Sequence, residues 1–259
     1  MNYRVTEHLP GVWHIADVMG VCFTLLAGEK RALLVDTGYG LENTAAFVRT
    51  LTDRPIDVLL THGHHDHALG AMHFPAVWLF PEDDGVDRTY TGIQQRMRVA
   101  DSAEANGIRF NREQFLNKPV PETAPPPERV DLGGMTAQII LCPGHTPGSA
   151  VVYVPERELL ITGDDWNPVT WCFFPDSLPA RNYRENVRKL ADLPFRHVLC
   201  SHRETLWPRE TFTAFLDGLT DECLRAAEPS DLGKDRGIDT ATAHPAEDQI
   251  FVFDRAKFT

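Results

Sequence analysis

The chain has 259 residues and a mass of 29.1 kDa, room for one large domain or two small ones around a substantial core. Its formal charge of −12 repels phosphate backbones, so no nucleic-acid partner is expected. Charged residues at 24% and hydrophobic residues at 42% exclude global disorder, and no apolar run reaches the ~18 residues of a membrane helix.

Short strands and turns open the chain: Arg4 to His8, Val12 to Ala16 and Val21 to Ala27, punctuated by Pro10-Gly11 and Gly20. Ala32-Leu33-Leu34-Val35 and Ile56 to Leu60 are continuous apolar runs, the pattern of strands buried on both faces. Between them Leu41, Ala45, Val48 and Leu51 follow helical spacing. Asp84 to Asn106 reads as a mostly polar helix, and the segment 119–127 holds five prolines. Residues 82–130 are therefore expected to be an insertion with the length of a lid. Strands resume at Met135 to Leu141, Ala150 to Val154 and Glu158 to Thr162, followed by a helix over Asn182 to Leu190 and a strand over Arg196 to Cys200. A long amphipathic helix is expected from Arg209 to Ala226, and Ile250 to Phe253 as a final edge strand. The opening Met1 to Glu7 has no apolar stretch, so no secretory signal is expected. Five scattered cysteines (Cys22, Cys142, Cys172, Cys200, Cys223) form no C-x-x-C pair. They read as small buried hydrophobes of a reduced, cytoplasmic protein.

Chemistry concentrates directly after the strand at 56–60, where His62, His64, Asp66 and His67 fall within six residues. Imidazole and carboxylate are the donors that zinc and similar divalent metals accept, and a tight turn at a strand end can aim several of them at one point. Three further polar residues stand just past short strands: His145 in Pro143-Gly144-His145-Thr146-Pro147-Gly148-Ser149, Asp164 in Thr162-Gly163-Asp164, and His202 after Ser201. Together they supply the remaining ligands of a two-metal site.

At these residues the sequence resembles the metallo-β-lactamase superfamily in its binuclear metallohydrolase branch, whose H-x-H-x-D-H motif is matched by His62, His64, Asp66 and His67. The resemblance implies an α/β fold, a four-layer αββα sandwich carrying the helical and Pro-rich insertion, with residues 1–259 as a single domain. It implies that His62, His64 and His145 hold one metal, that Asp66, His67 and His202 hold a second, and that Asp164 bridges both. The cofactors would be two divalent ions, zinc with iron or manganese as alternatives, sharing a hydroxide that attacks a small-molecule substrate. Asp66 would orient that hydroxide and carry its proton. Asp36 and Thr61 would hold the ligands in place.

The bridging Asp164 sets the chain apart from true β-lactamases. Acyl-homoserine lactonases carry Tyr where this chain has Asn167, while glyoxalase II-like thioesterases share all seven ligands. The expected substrate is a small ester, thioester or lactone. A single-iron sulfur dioxygenase or a phosphodiesterase on the same scaffold are the alternatives. Trp166, Asn167, Trp171 and Phe173, with Phe174, Tyr90 and Met97, are the candidate walls of the cleft. Asp165 is expected to make the mouth more negative unless it points away, and Arg181 is the one helix cation considered for a substrate carboxylate.

Overall fold

The computed structural model describes residues 1–258. Two sheets face each other. The first runs in chain order through Arg4–Leu9, Val12–Ala16, Cys22–Ala27, Ala32–Val35, Ile56–Leu59, Val77–Trp78 and Thr123–Ala124. The second has the order Trp207–Pro208, His197–Leu199, Leu159–Ile161, Ala150–Val154, Thr136–Leu141, Arg129–Asp131. Period-2 alternation sorts neighbouring residues to opposite faces. Leu26, Leu33 and Leu59 meet Ile139, Val152 and Ile161 between the sheets. Leu25, Leu34 and Val58 face outward onto Val48, Ala68 and Phe74. On the far side of the second sheet, Val151, Leu160 and Val198 pack against Tyr183, Val187, Phe212 and Phe215. Helix, sheet, sheet and helix form the four expected layers.

Strand register positions the functional loops. Ala32–Val35 and Ile56–Leu59 are parallel, with Val35 opposite Leu59, so Asp36 and Thr61 leave the sheet at one edge. In the second sheet Leu159–Ile161 is parallel to His197–Leu199, with Ile161 opposite Leu199. Asp164 and His202 therefore emerge together, each three residues on. The Ala150 N–H donates to the Thr61 carbonyl at 2.8 Å and joins the two edges.

Several elements differ from the sequence reading. The helix after Leu41 shortens to Thr44–Val48, capped by the Asn43 side chain accepting from the Ala46 N–H at 3.0 Å. The helix over 84–106 breaks at Thr91-Gly92 into Asp84–Tyr90 and Ile93–Ala105. The long C-terminal helix is two, Arg209–Gly218 and Asp221–Arg225, with Thr220 capping the second. Gly218 lies so close to the Pro245 carbonyl that a β-carbon there would fall 1.5 Å from its oxygen. The expected edge strand is instead the interior strand Gln249–Asp254 of a third sheet, paired with Val169–Cys172 on one side and Thr240–Ala246 on the other. Its alternation was visible, but the partners lie in segments too polar or too short to be read as strands. All five cysteines are free, four of them buried. No helix among the described residues is long and apolar enough to cross a membrane.

His14 ties this frame to the loop after His202. It is 3% exposed, accepts from the Thr24 hydroxyl at Nδ1 (2.9 Å) and donates from Nε2 to the Arg203 carbonyl (3.0 Å). Burial pushes its pKa down to about 4, while an unfolded histidine titrates near ~6.5. Between those values the unfolded chain binds the extra proton. The stabilisation from neutral His14 is thus fully present above pH ~6.5 and is lost as pH falls toward the folded value, a change of order 1–3 kcal/mol. Urea unfolding at pH 7 and pH 5 should show that loss in the native protein and a smaller one in His14→Gln.

Candidate metal centre

Side chains from four segments converge at the shared edge of the two sheets. His62, His64 and His145 form one group of potential ligands. His62, His67 and Asp164 form a second, and Asp66, His67 and His202 a third, with the donor atoms of each group within 4.8 Å of one another. All seven are buried or half-buried, and His62, His67 and His145 are at most 2% exposed.

Hydrogen bonds on the outer side fix which ring nitrogen faces inward. The Asp36 carboxylate accepts from His67 Nδ1 at 2.8 Å, and the Trp171 carbonyl from His145 Nδ1 at 2.6 Å. Asp176 accepts from His64 Nε2 at 3.1 Å. Thr61 spends its hydroxyl proton on Asp36 at 2.8 Å and so accepts from His62 Nδ1 at 3.1 Å. Each remaining nitrogen is then a lone pair. His64 Nδ1 and His145 Nε2 stand 2.9 Å apart with no proton left for either to donate. His62 Nε2, His67 Nε2 and Asp164 Oδ1 are buried with no hydrogen-bond partner. A buried concentration of acceptors without donors is costly unless a cation lies among them, so the residues present fit a divalent metal.

The electrostatics agree. Burial, together with the neighbouring imidazoles His67, His64 and His145, drives His62 well below the ordinary histidine range. Burial and His64 lower His145 to about 4. Both therefore stay neutral, the form that ligates. For His67 burial works against the charged ring, but Asp164, Asp66 and Asp36 outweigh it and raise its pKa well above the usual value, marking its inward side as a place that attracts positive charge, whether proton or metal. Burial opposes ionisation of Asp66 as well, and His67, His65 and His202 overcome it, lowering its pKa to about 2.

Asp36 organises the centre from behind. Its backbone takes a left-handed φ of 65°, a strained conformation for a residue with a β-carbon. This places Oδ1 on the Thr61 N–H (2.7 Å), with Oδ2 receiving Thr61 Oγ1, His67 and, at 3.4 Å, Ser201. A second carboxylate, Asp83, went unnoticed in the sequence. Fully buried, it accepts from the Gly63 N–H (2.8 Å), the Gly148 N–H (2.6 Å) and Thr146 Oγ1 (2.9 Å), joining the loops that carry His62, His64 and His145. Gly63 permits the approach, since a β-carbon there would meet the Asp87 backbone nitrogen at 2.4 Å. Asp176 and Asp83 sit in stretches with no motif, so no local sequence signal marks them.

A cavity of about 510 Å³ opens on the Asp66, Asp164 and His202 side of the cluster, with Asn167, Trp171, Phe174, Tyr39 and Tyr90 among its walls. Trp166 does not line it. This side chain is fully buried, edge-on to Phe212 at 5.4 Å, and donates from Nε1 to Gln249 at 3.2 Å. Phe173 is 3% exposed and stacks behind Phe174 at 4.8 Å. Both lie outside the strand Val169–Cys172, Trp166 in the turn before it and Phe173 just past it, where turn geometry directs them into the core. Met97 is exposed on its helix, away from the cavity. Asp165 points inward, and Arg181 pairs with Asp221 at 3.2 Å beneath Phe258.

The sequence profile of the metallo-beta-lactamase superfamily matches residues 17–202, and the chain belongs to this superfamily. An uncharacterized protein of Mycobacterium tuberculosis is 31% identical over 147 residues, covering 51% of this chain and 61% of its own. A hydroxyacylglutathione hydrolase of Pseudomonas aeruginosa is 28% identical over 182 residues, covering 70% and 60%. The chain thus spans about three-fifths of the length of these curated relatives. Among solved structures, a metallo-beta-lactamase from Pontibacter korlensis superposes with a TM-score of 0.57 at 18% identity, over 85% of this chain and all of that one. The fold is the one the sequence motifs implied.

Removing either supporting carboxylate has a separable signature. Asp36→Ala frees the His67 ring and is expected to weaken metal affinity about 10–100-fold in competition with a chromogenic chelator. Asp83→Ala strands three buried donors and should lower unfolding stability by roughly 2–5 kcal/mol in urea denaturation.

Proposed function

We propose that the protein is a hydrolase with two divalent metal ions, zinc being the expected pair, acting on a small-molecule ester, thioester or lactone. The observation that carries this reading is the convergence of seven potential ligands, with the lone pairs of His62, His64, His67 and His145 turned inward. His62, His64 and His145 would hold one ion, Asp66, His67 and His202 the other, with Asp164 between them. When bound, such a pair lowers the pKa of water toward neutrality and polarises a carbonyl oxygen.

The chain's own groups supply the rest. The Asp66 carboxylate, ionised and 15% exposed at the cavity floor, can accept the proton of an attacking water and pass it to the departing oxygen or sulfur. Tyr90 and Trp171 offer flat apolar surface for the acyl portion. Tyr90 belongs to the 82–130 insertion, so this segment would act as a wall or lid that chooses the substrate, while its Asp83 end secures the metal loops. The resemblance to a hydroxyacylglutathione hydrolase, whose name specifies an acyl group on a thiol, supports the thioester within this class.

Elemental analysis of the purified protein, paired with an ester, thioester, lactone and phosphodiester panel, tests the reading. Two metals per chain and acyl-transfer activity abolished by His62→Ala are expected. One iron per chain with thiol-dependent oxygen uptake would replace it with the dioxygenase alternative. Tyr90→Ala should raise KM about tenfold and leave metal content unchanged.

A further inference from the structure

Two arginines stand at the mouth of the cavity, Arg203 and Arg236, and neither forms an ion pair among the described residues. In a chain of net charge −12, most of the acids flanking them in sequence are engaged elsewhere. Glu204 accepts from Arg4 at 2.7 Å. Asp231 pairs with Lys234 at 2.5 Å, and Asp239 with Arg255 at 3.3 Å. Asp235 makes no ion pair with Arg236.

Both guanidiniums are mounted on fixed backbone. Arg203 directly follows His202, and its carbonyl is held by buried His14 at 3.0 Å, while His8 donates to the Glu204 carbonyl at 2.9 Å. Arg236 closes a single helical turn, Lys234–Arg236, between Gly233 (φ 88°) and Gly237 (φ 71°), backbone angles that glycine alone adopts freely. Its guanidinium lies 5.1 Å over the Phe174 ring, which itself packs on His64 at 4.8 Å. Asp165, expected to make the mouth more negative, is 1% exposed and turned into the core, while Asp66 and Asp164 lie among the candidate ligands and Asp176 is engaged by His64. Around the aromatic walls, then, the rim carries two guanidiniums without an ion pair among the described residues, Arg203 donating to the His202 carbonyl at 2.7 Å and Arg236 lying over Phe174 beside the Tyr90 hydroxyl.

Resting on the hydrolase reading, we infer that Arg203 and Arg236 select a substrate whose acyl portion ends in an anion of carboxylate type, held at the rim while the bond to be cleaved reaches the floor near Asp66 and Asp164. A guanidinium fork offers a carboxylate two parallel hydrogen bonds, and low surrounding polarity from Phe174 and Trp171 strengthens them.

The test uses matched 4-nitrophenyl esters on metal-loaded protein. One set carries straight acyl chains of four to eight carbons ending in a carboxylate, and the other carries the neutral chains of equal length. For the best-fitting length, kcat/KM is expected to be at least tenfold higher for the anionic member. That ratio should fall toward one in the Arg203→Gln/Arg236→Gln double variant, through KM rather than kcat, and Arg236→Lys should restore part of it. Raised salt should erode the ratio in the native protein only. A native ratio near one, or a ratio unchanged in the double variant, overturns the inference. If neither ester set is hydrolysed, the acyl-hydrolase reading fails on its own. Calorimetric binding of hexanedioate against hexanoate then decides the anion site: tighter dicarboxylate binding that the double variant loses upholds it, and equal binding overturns it.

Discussion

Everything in this structure turns on imidazole lone pairs that face one another instead of facing donors. His64 Nδ1 and His145 Nε2 approach to 2.9 Å after both rings have given their only proton outward. Two acceptors at hydrogen-bond distance are repulsive, and burial removes the water that would relieve them. Only a cation, or a proton in its place, makes such an arrangement stable. The same polarity runs through His62, His67 and Asp164, whose inward atoms have no partner at all. The site is thus specified from outside, by carboxylates and carbonyls that dictate tautomers, as much as by the ligands themselves.

The sandwich supplies those outer partners through backbone registration. Asp36 and Thr61 can share a carboxylate–hydroxyl pair because the strands that deliver them are parallel and level at Val35 and Leu59. Asp164 and His202 meet at 3.0 Å for the same reason in the opposite sheet. Where registration alone leaves a loop unsupported, a buried acid substitutes. Asp83 links the His62–His64 turn to the His145 turn, lying 20 positions from Gly63 and 65 from Gly148. The insertion that contains it therefore does two things: Asp83 bolts it to the ligand loops, and Tyr90 packs on His64 at 4.4 Å while lining the cavity.

How much of this could be read in advance follows from how local each signal is. The strands flanking the ligands were legible because continuous apolar runs ending in polar turns need no partner to be recognised, and the ligand residues stood in those turns. The third sheet was hidden, since Thr240–Ala246 carries Thr, His and Pro and becomes a strand only by pairing with Gln249–Asp254. Helix lengths were overestimated wherever a close backbone approach, as at Gly218 against Pro245, stops the helix for reasons outside its own periodicity. Asp83, Asp176, Arg203 and Arg236 escaped notice because their roles depend on long-range contacts, with Asp176 meeting His64 across 112 positions. Trp166 and Phe173 failed as cleft residues through the opposite error: nearness in sequence to Asp164 does not decide which face of the chain a side chain takes.

The Asp164-Asp165 pair shows how sharply that face matters. Asp164 turns to the cluster, where, although burial opposes it, His202 and His67 hold its pKa well below the ordinary carboxylate range. Its neighbour turns the other way. Burial, the largest influence, drives the Asp165 carboxyl well above that range despite the His145 backbone N–H at 3.3 Å and the Cys142 and Ser149 side chains, and favours the neutral acid. Two ionised carboxylates side by side would repel each other and draw charge away from the metal ligands. One ionised and one neutral acid instead let the first serve the cations and the second brace the loop of His145. The backbone makes the division possible at Gly163, whose φ of 55° and close approach to Thr61, 2.7 Å from a would-be β-carbon, set the direction in which the next two side chains leave the strand. A single glycine thereby decides which acid belongs to the chemistry and which to the core.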